Sequence, residues 1–130
     1  GVTLAFETME TPFMDTVGKA MEWVSKVNSP YLQVYPDIGN TTNASLVYKT
    51  DVLADLRSGT GHIYAVHLKE TVPGVYREVP YGTGHVDFKG AVATALELGV
   101  RMFVGEFWYT GEEDWRGILK GNNAFLRANF

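Results

Sequence analysis

Four short apolar runs, each closed by an ionisable side chain, recur along this chain at nearly one interval. The closing residues are Glu7, Asp37, His67 and Glu106, and the spacings between them are 30, 30 and 39 residues. About 30 residues is the length of one strand-plus-helix unit. The runs themselves predict strands over residues 2–7, 32–36, 63–69 and 102–108. Helical spacing, with Asp or Thr at the start and Gly or Ser-Pro at the end, predicts helices over 15–28, 46–57, 87–98 and 112–128. Residues 37–40 read as a loop, 40–45 as a polar connection and 70–85 as a long loop with two prolines and three glycines. Strands alternating with helices imply right-handed crossovers and a parallel sheet. The fold class is therefore α/β, four consecutive βα units in one domain over residues 1–130.

Side chains alternate across a strand. Thr3, Ala5 and Glu7 share one face of the first strand, Ala65 and His67 one face of the third, and Val104 and Glu106 one face of the fourth. In a parallel barrel the four closing residues occupy equivalent positions and converge at the C-terminal rim, where such barrels carry their active sites. A lone carboxylate at a strand end is ordinarily a loop anchor or a helix cap. Four in register are different, because like charges repel unless a cation joins them. Three carboxylates and one imidazole suit one divalent metal ion: Mn²⁺, Mg²⁺, Co²⁺ or Zn²⁺.

Composition narrows the function classes. No cysteine is present, which removes disulfides, thiolate catalysis and Cys-based zinc sites. Eleven basic residues stand against 15 acidic, a net charge of −4, so a nucleic-acid backbone is not expected as partner. No run approaches the roughly 18 apolar residues of a membrane helix, and nothing has the layout of a signal peptide, so no membrane partner and a cytoplasmic location are expected. The chain opens in mid-strand on Val2-Thr3-Leu4-Ala5-Phe6, which points to a fragment.

A set of longer motifs then becomes readable: Gly1-Val2-Thr3-Leu4-Ala5-Phe6-Glu7, Tyr35-Pro36-Asp37-Ile38-Gly39-Asn40, His67-Leu68-Lys69-Glu70-Thr71, Pro80-Tyr81-Gly82-Thr83-Gly84 followed by Val86-Asp87-Phe88, and Gly105-Glu106-Phe107-Trp108. Together they resemble the C-terminal half of the L-ribulose-5-phosphate 3-epimerases (L-xylulose-5-phosphate 3-epimerases), whose relatives include hexulose-6-phosphate isomerases, within the xylose-isomerase-like barrels. The resemblance runs over the whole chain. It implies strands five to eight of a (β/α)₈ TIM barrel, with one divalent metal held by Glu7, Asp37, His67 and Glu106. The implied reaction is epimerisation of a ketopentose 5-phosphate at C3 through a cis-enediolate, with Glu7 and Glu106 as acid and base on opposite faces. Related ketose 3-epimerases carry His three residues after the Asp ligand, where this chain has Asn40.

Substrate contacts are expected from Asn40, Lys69, Arg77 and Trp108, with a rim salt bridge to Glu70 as the alternative role for Lys69. Gly82, Gly84 and His85, ahead of a helix N-terminus, are weaker candidates for phosphate. Trp23 and Trp115 are expected in the core and His62 on the surface, and the two Asn-x-Thr/Ser patterns at Asn40 and Asn43 are read as chance. An aldose–ketose isomerase shares the same chemistry, and a non-catalytic half-barrel used for binding or assembly is the alternative from another class. DNA-repair endonucleases use more histidines than the three present. Open sheet edges in half a barrel predict homo-oligomerisation and leave the fragment alone inactive.

Overall fold

A period of thirty residues leaves room for one strand, one helix and their turns. The computed structural model, which describes residues 1–130, follows that order: β1 (Leu4–Glu7), α1 (Val17–Val27), β2 (Leu32–Tyr35), α2 (Ile38–Tyr48), α3 (Val52–Ser58), β3 (Val66–Leu68), α4 (Phe88–Glu97), β4 (Phe103–Gly105) and α5 (Trp115–Arg127). β1 runs parallel to β2, with Leu4 opposite Leu32 and Glu7 opposite Tyr35. β3 runs parallel to β4, with His67 opposite Val104. Parallel bridges at Val34–Ile63 and Asp37–His67 stitch the two pairs together, so the strands lie side by side in chain order. β3 and β4 are shorter than the sequence predicts. Between β2 and β3 the cause is visible, since Pro36 has no N–H to donate and the ladder there reduces to isolated rungs.

Alternation divides the sheet into two faces. Val34, Val66 and Leu68 turn outward and are buried against the helices with Val17, Val24, Ile38, Leu56, Phe88 and Val92. Burying one such side chain stabilises the fold by about 1.5–3 kcal/mol. That layer holds the strands in register and leaves the opposite face to Tyr35, Asp37 and His67. α1 is tied into it at its start, where the Asp55 carboxylate of α3 accepts the N–H groups of Val17 and Gly18 at 2.8 and 3.1 Å.

The second helical region departs from the sequence reading. The helix expected over 46–57 is two helices, broken at Lys49, whose φ is +56°, and restarted by Asp51 as N-cap. The first of them begins eight residues early, at Ile38, inside the segment expected to be a loop and polar connection. Ile38-Gly39-Asn40-Thr41-Thr42-Asn43 is a run of weak helix formers. Tertiary partners anchor it instead: Asn40 Nδ2 donates to Thr8 O at 2.8 Å, and Asn43 Oδ1 accepts from Gly74 N at 3.0 Å. Asn40 and Asn43 are both buried, so neither sequon is open to modification.

Two further expectations are corrected. Trp115 is exposed on α5, a helix with no fully buried residue, and Trp23 is exposed beside the Phe13 ring at 6.1 Å. α5 packs against the body through Phe125 and Leu126, and the Phe125 ring stacks on Tyr81 at 5.5 Å. His62 is half-buried rather than on the surface, and its Nδ1 has no partner.

Candidate metal centre

Each of the four closing side chains is aimed by its own strand, and the aim converges. One donor atom each from Glu7, Asp37, His67 and Glu106 lie within 4.8 Å of one another. His67 Nδ1 is 2.8 Å from Glu7 Oε1, 3.0 Å from Glu106 Oε2 and 3.8 Å from Asp37 Oδ2. With its proton on Nδ1 the imidazole donates to Glu7; with the proton on Nε2 the same nitrogen presents a lone pair to a cation.

Asp37 does two jobs. Its Oδ1 caps α2 by accepting from Asn40 N at 2.8 Å, which fixes the carboxylate plane. Its Oδ2 then faces the cluster and has no hydrogen-bond donor, although the residue is fully buried. Thr8 holds the backbone here, since Asp37 N donates to Thr8 Oγ1 at 2.8 Å. Glu106 Oε2 is a second buried oxygen without an aligned donor. Unpartnered buried carboxylate oxygens are costly. Burial pushes the Asp37 carboxyl up to about 8, with the Glu106 carboxylate adding to the rise and the Lys69 ammonium and Asn40 N–H opposing it. Two orphaned oxygens, a third carboxylate and an imidazole nitrogen in one small space fit a single divalent cation.

Lys69 enters this centre in place of the salt bridge to Glu70. It is buried, with Nζ 3.2 Å from Asp37 Oδ2 and 4.0 Å from Glu106 Oε1. The pair with Asp37 is close enough for charge attraction but not aligned as a hydrogen bond, so Oδ2 stays unbonded. Trp108 lies beside it, its ring centroid 5.7 Å from the ammonium.

Glu70 turns the other way. It is buried, and its carboxylate accepts from the N–H groups of Thr71, Gly82 and Val86 at 3.1, 3.0 and 3.2 Å. The Gly82 amide assigned to phosphate is therefore already taken by a carboxylate, which also repels an anion, and a Cβ on Gly84 would meet that same carboxylate. His85 Nε2 lies 2.9 Å from Thr71 Oγ1, itself bonded to Gly39 O. These three residues lock the loop. Arg77 is exposed and pairs with Glu10 at 2.7 Å, outside the cluster. Asn40 is buried three residues past Asp37 and bridges α2 to the segment after β1.

Two contributors escaped the sequence analysis. Tyr35 sits two residues before Asp37, hence on its face, and its ring lies 4.4 Å from the His67 ring. Burial, then the Glu7, Glu106 and Asp37 carboxylates, push its phenol upward. Alternation extended to β2 places Tyr35 on the face of Asp37, but an uncharged phenol at that position carries no signal of metal chemistry. Tyr81 reaches back from the long loop to Leu68 O at 2.5 Å and Glu106 O at 3.2 Å, which ties the ends of β3 and β4 together. Nothing in the local sequence marks that contact.

Comparison with known proteins agrees with this architecture. A family model described as xylose isomerase-like TIM barrel matches residues 1–128. The L-ribulose-5-phosphate 3-epimerase UlaE of Salmonella paratyphi C (strain RKS4594) is 45% identical over 98 residues, 75% of this chain and 33% of that protein. The protein of the same name from Escherichia coli O139:H28 (strain E24377A / ETEC) is 41% identical over 114 residues, 87% of this chain and 39% of that protein. Among solved structures, D-allulose 3-epimerase from Methylomonas sp. superposes with a TM-score of 0.78 at 16% identity, over 100% of this chain and 49% of that one. The 3-keto-D-glucoside 4-epimerase YcjR from E. coli gives 0.76 at 15% identity, over 97% and 46%. The chain thus spans between a third and two fifths of the curated relatives' length, and about half of the barrels it superposes on.

Proposed function

This chain belongs to the xylose isomerase-like TIM barrel family, and from that premise we propose that it supplies the metal-holding, proton-transferring strands of a sugar-phosphate 3-epimerase acting on a ketopentose 5-phosphate. One observation carries the reading: four donor atoms from the ends of four consecutive strands within 4.8 Å, with buried oxygens of Asp37 and Glu106 left unbonded. The similarity to proteins named L-ribulose-5-phosphate 3-epimerase supplies the substrate class. In this reading the units are strands five to eight of the barrel, and a phosphorylated sugar keeps the reaction in the cytoplasm.

Epimerisation at C3 removes a proton from carbon and returns it to the other face. Glu7, Asp37, His67 and Glu106 would hold the cation. A divalent ion, when bound there, would supply Lewis-acid polarisation of the ketose carbonyl and so favour loss of the C3 proton. Glu7 and Glu106 come from the first and last strands and reach the shared centre as two separate carboxylates, 2.8 and 3.0 Å from His67 Nδ1. That placement suits two bases, one taking the C3 proton and the other giving one back. Tyr35 backs the imidazole and holds its ring in place. Trp108, half-buried with its ring centroid 5.7 Å from the buried Lys69 ammonium, offers an aromatic wall suited to the apolar face of a sugar.

The test is exchange of the C3 proton of L-ribulose 5-phosphate with deuterated solvent in the whole protein, with product analysis to separate 3-epimers from aldoses. Glu7→Gln and Glu106→Gln should each reduce exchange by about 10²-fold or more, the typical contribution of a positioned acid or base. Full exchange in both variants ends the two-base scheme.

A further inference from the structure

We propose that Lys69 is a resident counter-ion of the metal centre, a fixed positive charge that pairs with Asp37 and Glu106 before a metal arrives and weakens the divalent ion's hold once it has. The inference rests on the metal reading above and adds to it a residue that sets affinity.

Lys69 stands two residues beyond His67, so strand alternation delivers its side chain to the same face. Burying an ammonium is expensive unless an anion meets it. The carboxyl groups that meet this one are Asp37, its Oδ2 at 3.2 Å, and Glu106, its Oε1 at 4.0 Å, and the ammonium has no other ion-pair partner. Glu70, its neighbour in the chain, is engaged with three backbone amides and cannot substitute. The oxygen nearest the ammonium, Asp37 Oδ2, is one of the two oxygens left unbonded at the site. Lysine and metal therefore draw on the same carboxylate.

The charge count gives the consequence. Glu7, Asp37 and Glu106 bring −3 when ionised, and Lys69 reduces that to −2. A divalent ion then closes the centre at zero charge, which low-dielectric surroundings favour over a residual charge. Without Lys69 the ligands would present −3 to the metal and bind it more tightly, while the metal-free cluster would lose its internal partner. The lysine thus trades metal affinity for a site that is formed in advance, and it favours an ion of charge +2.

The experiment titrates metal-free protein with Mn²⁺ alone and follows heat. Lys69→Met should lower the Kd for Mn²⁺ by at least about tenfold and lower the melting temperature in chelator, since a full charge near a divalent ion opposes it strongly. Lys69→Arg, which keeps the charge, should stay within about threefold of the parent. If Lys69→Met does not fold without metal, the parent protein still decides: the Lys69 side-chain ¹⁵N and ¹³C resonances should shift when diamagnetic Zn²⁺ saturates the site. An unchanged or weaker Mn²⁺ affinity in Lys69→Met, or Lys69 resonances that ignore Zn²⁺, overturns the inference while leaving the metal reading intact. Failure of the parent itself to bind either ion overturns both.

Discussion

A single carboxylate shows how local and long-range demands meet. Asp37 spends one oxygen as the N-cap of α2 and leaves the other facing two carboxylates and an imidazole. The helix start thereby orients a donor that solvent cannot reach. Burial, with the Glu106 carboxylate beside it, raises the Asp37 carboxyl from 3.8 to about 8, so in metal-free native protein the Asp37–Glu106 pair holds one proton that the unfolded chain has released and keeps one negative charge for Lys69. The native state then binds more protons between about pH 4 and pH 8, and stability falls as pH rises through that window. In the proposed metal centre a divalent cation would take the proton's place. Melts in chelator should therefore be lower at pH 8 than at pH 5, and saturating Mn²⁺ should remove most of the difference. Identical melts in chelator would show that Asp37 is not protonated in the native state.

At the scale of elements, the long loop is what keeps the ends of β3 and β4 in place. Its anchor is the Glu70 carboxylate on three amides, helped by Tyr81 on Leu68 O and Glu106 O. Gly84 passes so close to Thr71 O and the Glu70 carboxylate that a Cβ has no room. Gly84→Ala should cost about 1–3 kcal/mol in denaturant unfolding, the usual penalty of overpacking. Gly121 is the contrast: it lies inside α5 with nothing near its absent Cβ. Gly121→Ala should stabilise by about 0.5–1 kcal/mol through helix propensity alone. Equal effects from the two substitutions would mean that neither space nor propensity is understood here. This scale is also where the sequence was least legible. The start of α2 was hidden because its residues look like a loop by propensity, and the partners that stabilise it, Thr8 and Gly74, lie about thirty residues away on either side.

For the molecule as a whole, the outward face of the sheet is well covered and the rest is open. Val2 and Leu4 lie exposed just before and at the start of β1, Val104 in β4 and Phe107 two residues past it, and Trp115, Ile118 and Leu119 on α5. Unpaired strand edges and contiguous apolar surface favour association. Sedimentation velocity across a range of protein concentrations should show self-association of the 130-residue chain; a single monomeric species at the highest concentration would contradict it.

Two short-range rules were enough to mark Glu7, Asp37, His67 and Glu106 in the sequence. Side chains alternate along a strand, and a strand with its crossover takes about thirty residues. Both depend only on neighbours in the chain, so they are legible without coordinates, and the structure brings those four side chains together. What needed the tertiary structure was the identity of partners across loops: Lys69 against Asp37 rather than Glu70, Glu70 on the glycine-loop amides, Tyr35 behind His67, and polar residues buried in α2. Each of these is a choice between bonding groups distant in sequence. Only closure of the sheet and burial of its outer face determine which of them end within reach.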